Sequence, residues 1–300
     1  MMKNNINNNY EKYQDDLLLH SMSNYIFQIK KIFEVLQPKS ISEIGVEGGK
    51  FSRYLLQYVN DNDLEYIGVE PYPSDEIKEL ISSFNQKLVV SMSLDVKSEE
   101  ALTCDVVFID GDHNYYTVYN ELKKARKCNS TSVIFLHDVS WPCGRRDQYY
   151  NVQGLKKEDI QMYTFDGGLI PGKNKPQDIG FSGEGSYAYA VEEGGKKNGV
   201  LTAIEDFKRE HSDYRYMELL SVFGLGILFR EESLSKEQLG FFNFFEKSLN
   251  LWNPLFVNLE ENRLELLIEL WKQNKVINDQ NKVIDSFFST KVKKIIKKYL

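Results

Sequence analysis

One stretch constrains this chain most: Ile41-Ser42-Glu43-Ile44-Gly45-Val46-Glu47-Gly48-Gly49-Lys50-Phe51-Ser52. It opens as a short apolar strand, turns through a glycine cluster and enters Phe51-Ser52-Arg53-Tyr54-Leu55-Leu56, which has helical spacing. A strand, a glycine turn and a helix start make a nucleotide-binding corner. Glycine lets the backbone approach a ligand, and the helix N-terminus offers N–H groups without intrahelical partners. The next strand, 64–70, ends in Glu70. An acid roughly 20 residues after such a turn is where these folds hold ribose hydroxyls.

The pattern that follows repeats this alternation. Strands are predicted at about 41–45, 65–70, 87–91, 104–110 and 132–136, and helices at about 50–59, 74–84 and 115–127. The run Cys104-Asp105-Val106-Val107-Phe108-Ile109-Asp110 is nearly continuous in apolar residues, as suits a strand buried on both faces. Alternating strands and helices predict an α/β fold with a doubly wound, mainly parallel sheet. Ligands of such sheets lie at the carboxyl ends of the strands. Glu43, Glu70, Asp110, His113, His137 and Asp138 all fall at or near such ends.

Charge and cysteine content narrow the class. The formal charge is −7, so a duplex-binding surface is not expected and no nucleic-acid partner is read. Cys104, Cys128 and Cys143 include no C-x-x-C pair and read as free thiols of a reducing compartment. With no apolar signal core at the start and no span-length apolar segment, the expectation is a soluble cytoplasmic protein.

The pair made by Glu43-x-Gly45-x-x-x-Gly49 and Glu70 resembles motifs I and II of the class I S-adenosylmethionine-dependent methyltransferases. It does not have the spacing of the dinucleotide fingerprint G-x-G-x-x-G. The resemblance implies a Rossmann-like sheet closed by an antiparallel hairpin. Residues 214–230, two strand patterns joined by a glycine turn, fit that hairpin. It also implies that S-adenosyl-L-methionine is held by Glu43, Gly45, Val46, Gly49, Ser52 and Glu70. Ser93 and Asp95, after the third strand, would lie on the adenine side, although Asp95 reads equally well as the cap of a helix starting near Ser98.

The ends of strands four and five carry the candidate chemistry. Asp110 and Asp138 end strands that should be neighbours, a geometry that can hold a hard cation such as Mg²⁺. His137 would complete the set, and as a nitrogen ligand it suits Mn²⁺ or Fe²⁺ better. His113, three residues after Asp110, is a candidate general base, since imidazole titrates near neutral pH. The string Phe108-Ile109-Asp110-Gly111-Asp112-His113-x-Tyr115, with His137-Asp138 further on, is similar to one branch of these enzymes. That branch comprises the metal-dependent sugar and natural-product O-methyltransferases of the macrolide-tailoring type and the cephalosporin-hydroxylase-like proteins. The likeness implies metal binding by Asp110 and Asp138 and proton removal by His113. An acidic position often found just before the later acid is His137 here. Asp112 reads as the cap of the following helix.

The implied activity is an O-methyltransferase acting on a hydroxyl of a sugar or small natural product. Other readings are an N-methyltransferase or NAD-linked enzyme on the same scaffold, or a non-catalytic binding or assembly module. Residues 1–37 read as a tail and leading helices, which either cover the cofactor or pack on the sheet edge. Residues 38–232 read as the methyltransferase domain, with a lid at about 139–200 whose Arg145 and Arg146 would grip a substrate phosphate or carboxylate. The alternative for that pair is a solvated site or an ion pair with Asp147. Residues 233–300 read as a helical extension. Leu264, Leu267, Leu270, Trp271, Ile277 and Ile284 form a stripe compatible with a homodimer contact. The last twelve residues make a basic amphipathic helix, which would dock on an acidic surface or touch an anionic membrane peripherally.

Overall fold

The computed structural model describes residues 18–97, 101–183 and 185–299, with side chains described as far as 287. The expected tail at 1–9, the helix start near Ser98 and the basic face of the last twelve residues lie outside those described residues or side chains.

The centre is a seven-stranded sheet in the order β3-β2-β1-β4-β5-β10-β9. Its parallel strands are β1 (Ser40–Ile44), β2 (Glu65–Val69), β3 (Lys87–Val89), β4 (Val106–Ile109) and β5 (Val133–His137). The antiparallel hairpin of β9 (Tyr214–Leu219) and β10 (Leu225–Arg230) closes the β5 edge, with Leu225 opposite His137. Strand order reverses between β1 and β4, which opens a crevice at their carboxyl ends.

Period-2 alternation along the central strands feeds two cores. Phe108 and Phe135 face one side, where they join Ile29, Ile32 and Phe33 of α1 (Ile26–Leu36) and Leu55 of α2 (Lys50–Asn62). Val107, Ile109, Ile134 and Leu136 face the other side, against Val118 and Leu122 of α4 (Tyr115–Cys128) and Ile204 and Phe207 of α5 (Val200–Glu210). Helix α3 (Asp75–Ser83) adds Ile77 and Ile81 to the first core. The leading helix therefore packs on the centre of a sheet face and not on its edge. Phe33 meets both Phe108 and Phe135 edge-on. The three cysteines are free.

The segment expected as a lid is folded. Strands β6 (Gln148–Tyr149), β7 (Tyr163–Thr164) and β8 (Ala188–Ala190) form a three-stranded antiparallel sheet in the order β6-β8-β7. Beyond the closing hairpin, α6 (Lys236–Tyr299) is one helix through Pro254. It starts with a capping box: the Gln238 N–H donates to Ser235 Oγ, and the Ser235 N–H donates to Gln238 Oε1. Phe242 packs against Phe229 of β10, and Leu264 and Leu267 are buried, whereas 272–287 are exposed throughout. No helix among the described residues is long and apolar enough to cross a membrane.

Candidate active site at the strand ends

The glycine turn sits directly on the end of β4. Gly45 has φ +90°, and a Cβ there would lie 2.2 Å from the Asp110 carbonyl oxygen and 2.5 Å from Gly111 Cα. Only glycine allows both the angle and the approach. Gly49, also left-handed, is the N-cap of α2. Val46 is buried under the turn.

Glu43 and Ser52 lie beneath the turn, both fully buried. Ser52 Oγ donates to Glu43 Oε1 at 2.9 Å, and the Tyr66 hydroxyl donates to Glu43 Oε2. Burial pushes the Glu43 carboxyl up to about 8 despite these donors, and Asp110 and Glu70 add to the rise. Glu43 thus braces the turn from below. Glu70 stands at the rim. It accepts from the Glu47 N–H at 3.0 Å and the Tyr72 N–H at 3.1 Å, which ties the turn after β1 to the end of β2. Ser93 and Asp95 lie in a turn fastened by Lys124, whose Nζ donates to the carbonyls of Ser93 (3.1 Å), Leu94 (2.9 Å) and Val96. Glu121 of α4 is buried near this turn and is pushed up to about 8 by that burial. Sequence reasoning passed over it, although it shares the inward face of α4 with Val118, Leu122 and Ala125.

Asp110, His137 and Asp138 come together at the ends of β4 and β5. One ligand atom from each lies within 4.8 Å of the others. His137 Nδ1 is 3.1 Å from Asp110 Oδ1 and 3.1 Å from Asp138 Oδ2. Burial alone would lower the His137 imidazole, but the two carboxylates outweigh it and raise it to about 10. Asp138 moves the other way. Burial would raise it, yet His113 and His137 hold it below the usual carboxylate range. Its backbone is left-handed, φ 59°, a conformation an aspartate adopts at a cost. His113 Nδ1 lies 3.5 Å from Asp138 Oδ2. Asp138 therefore sits between two imidazoles, and a donor set of two carboxylates and one imidazole fits Mg²⁺ or Mn²⁺.

Asp112 does not cap α4. The N-cap is Asn114, whose side chain accepts from the Thr117 N–H, while Asp112 Oδ2 accepts from Asn114 Nδ2 at 2.6 Å. Asp112 stands two positions too early in the chain to act as the cap, so it supports the capping residue instead.

Arg145 and Arg146 both pair with groups outside this cluster, and Arg146 is too buried to grip a substrate. Arg145 makes a bidentate pair with Glu205 of α5 at 2.6 and 2.5 Å. Arg146 is 2% exposed and donates to the carbonyls of Ala190 (2.6 Å) and Asn174 (2.8 Å). Asp147, the alternative ion-pair partner, accepts from the Tyr115 and Gly199 N–H groups and from the Tyr149 hydroxyl. Sequence reasoning also missed the aromatic residues that the insert brings over the strand ends. Its abundance of tyrosine was the only signal.

Comparison with known proteins agrees with this layout. A family profile described as "Methyltransferase domain" matches residues 42–139. The match holds every strand-end residue from Glu43 to Asp138 and stops where the insert starts. Among solved structures, the SAH-bound methyltransferase PaMTH1 of Podospora anserina is 15% identical over 69% of this chain and 76% of that one, with a TM-score of 0.40. An O-methyltransferase from Bacillus cereus in complex with SAH is 15% identical over 70% and 82%, with a TM-score of 0.39. Likenesses of this size decide nothing about the site. No curated protein matches the chain. Residues 42–139, which hold the glycine turn and the strand ends, are thus similar to a methyltransferase domain, and the closing hairpin lies beyond the matched segment.

Proposed function

We propose that this protein is a divalent-metal-assisted O-methyltransferase acting on a hydroxyl of a sugar or small natural product. The observation that carries this reading is the convergence of Asp110, His137 Nδ1 and Asp138 beside the glycine turn, with His113 next to Asp138. Methyl transfer from a sulfonium needs alignment more than covalent help. The backbone of Gly45, Val46 and Gly49 would receive the methionine end of S-adenosyl-L-methionine, with Glu43 and Ser52 as its brace. Glu70 would accept from the ribose hydroxyls, and the turn at Ser93 and Asp95 would border the adenine.

Asp110, His137 and Asp138 would hold Mg²⁺ or Mn²⁺, which when bound lowers the pKa of a neighbouring hydroxyl. His113 Nδ1 faces Asp138, so Nε2 is the atom left to take the acceptor's proton. Asp138 then stabilises the imidazolium that forms. The acceptor oxygen forms a bond to the methyl carbon as the sulfur–methyl bond breaks, leaving a neutral thioether. We read the protein as cytoplasmic. We also read the exposed face of α6 around Ile277 and Ile284 as a contact with a second copy.

The test is calorimetric binding of S-adenosylmethionine combined with turnover. His113→Ala should lower kcat about 100-fold or more, the usual scale for a lost general base, and leave cofactor affinity intact. An unchanged kcat would remove His113 from the mechanism. Full activity in excess chelator would remove the metal.

A further inference from the structure

The insert lays an arc of aromatic rings between the proposed base and the proposed metal ligand. His113 meets Tyr150 edge-on at 6.0 Å between ring centroids, and Tyr150 meets Tyr187 at 5.8 Å. Tyr187 stacks on Phe181 at 6.1 Å, and Phe181 meets Phe223 at 5.8 Å. Phe223 meets His137 at 6.3 Å, which ends the arc at the cluster, and Trp141 backs Phe181 at 6.0 Å. These spacings are those of attractive aromatic pairs, so the arc is a self-supporting wall.

Local structure explains why the wall faces the site. Successive residues of a strand end point to opposite sides. Tyr149 turns into the insert and holds Asp147, while Tyr150, next in the chain, is 50% exposed beside His113. Tyr187 lies just ahead of β8, on the side of the buried Tyr189, whose ring it meets at 6.3 Å and which anchors the insert through the Gly167 carbonyl. Tyr187 is seated by Gly183, where a Cβ would meet its ring at 2.6 Å. Phe223 is held by three consecutive left-handed residues, Val222 (φ 49°), Phe223 (φ 69°) and Gly224 (φ 86°). The Ser140 N–H, two residues past Asp138, donates to its carbonyl. A half-exposed tyrosine and a strained phenylalanine beside reactive histidines are poor choices for stability alone.

The electrostatics of the wall are one-sided. After burial, the charges acting on the Tyr150 phenol include the carboxylates of Glu47, Asp138 and Asp110, and Asp138 also acts on Tyr187. The insert's two arginines are committed elsewhere. A divalent ion on Asp110 and Asp138 would still leave the Glu47 carboxylate acting on the wall.

Building on the methyl-transfer reading above, we propose that Tyr150, Tyr187 and Phe181 form the acceptor-binding wall. It selects an uncharged hydroxylated ring presented by its apolar face and rejects phosphorylated or carboxylated acceptors. A pyranoside and a catechol-type phenol share that chemistry, since each offers a flat apolar face and vicinal hydroxyls. An anionic group seated against the wall would lie beside the Glu47 carboxylate and away from the insert's two arginines, a like-charge arrangement that costs binding.

The test uses the full chain saturated with S-adenosylhomocysteine and Mg²⁺. The probes are methyl β-D-glucopyranoside, catechol, glucose 6-phosphate and phenyl phosphate, read by saturation-transfer NMR. At least one neutral probe should bind, and its phosphorylated counterpart should bind at least about tenfold more weakly. Which neutral probe binds tells sugar from phenol. Tyr150→Leu and Tyr187→Leu, which keep apolar bulk but remove the π face, should each weaken the neutral probe about three- to tenfold. S-adenosylhomocysteine affinity should stay at the parent's value in both variants, and so should the melting temperature of the half-exposed Tyr150→Leu, which a merely structural role would not allow. Equal binding of phosphorylated and neutral probes, binding of neither, or parental affinity in both variants would overturn the wall. The methyl-transfer reading fails separately, by absence of S-adenosylmethionine binding in calorimetry.

Discussion

The insert at 139–199 and the outer part of α6 are both additions to one sheet, and they handle burial in opposite ways. The insert buries polar groups and supplies each with a partner. Arg146 is surrounded by carbonyls, and Asp147 by two N–H groups and a phenol. Such an interior admits one arrangement, because each displaced donor leaves an unpaired acceptor. The outer part of α6 does the reverse. Ile277 is 52% exposed and Ile284 50% exposed, on a stretch where every described residue from 272 to 287 is exposed. An apolar stripe of that kind asks only for a surface and adds nothing to its own domain until it has one. The lesson is that polar burial builds a site with a defined shape, whereas apolar exposure builds a contact with a loose one.

Four changes break or sharpen that contrast. Arg146→Ala should be the most severe. It strands the Ala190 and Asn174 carbonyls, and the cost should be about 3 kcal/mol in urea unfolding, the scale for removing a buried charged donor. Protease should then cut the insert first. A loss under about 1 kcal/mol would place the insert in the same class as the outer part of α6.

Asp147 gives the second change, read through pH. Burial raises its carboxyl from 3.8 to about 6. A raised acid binds its proton more tightly in the folded state. Its stabilising contribution is therefore complete below the unfolded pKa and is lost as pH rises through about 6. Asp147→Asn keeps an oxygen for the Tyr115 and Gly199 N–H groups but cannot ionise. The stability of the parent relative to this variant should fall by about 1–3 kcal/mol between pH 4 and 7, as followed by denaturant midpoints. A flat difference would mean that the carboxylate is not buried as described.

Arg145→Met comes third. Its pair with Glu205 is partly exposed, so solvent screening should hold the change below about 1 kcal/mol by thermal unfolding. Ile277→Lys with Ile284→Lys should be the mildest for the domain itself, within about 0.5 kcal/mol. In sedimentation, a two-chain parent that these substitutions dissociate would supply the surface the stripe lacks. A parent sedimenting as one chain would remove the dimer reading.

The contrast also explains what the sequence can disclose. The strand ends are legible because β4 and β5 are apolar runs, each followed at once by a polar residue, and the topology makes them neighbours. Composition and spacing carry that much. The role of Arg146 is illegible because its partners are backbone carbonyls 28 and 44 residues away, and a carbonyl has no residue type. Tyr150 is hidden for a related reason. Only the register of β6 decides which of two adjacent tyrosines turns outward. Asp112 and Asn114 are both capping residues by type, and the backbone's point of entry into α4 chose Asn114. The continuity of α6 through Pro254 is equally tertiary, since packing on the first core outweighs one lost helical bond.

The contact between Gly45 and the chain after β4 has a consequence for how such an enzyme can diversify. Main chain rests on main chain there, with no side chain between them. The spacing between the turn after β1 and the end of β4 is thus fixed by the thickness of two peptide units, which no substitution short of rebuilding the turn can lengthen. A larger or smaller acceptor has to be accommodated overhead, in the loops and rings of the insert. If the strand ends and the insert act as proposed, substrate range can drift in the roof while the floor beneath it stays as the two peptide units set it.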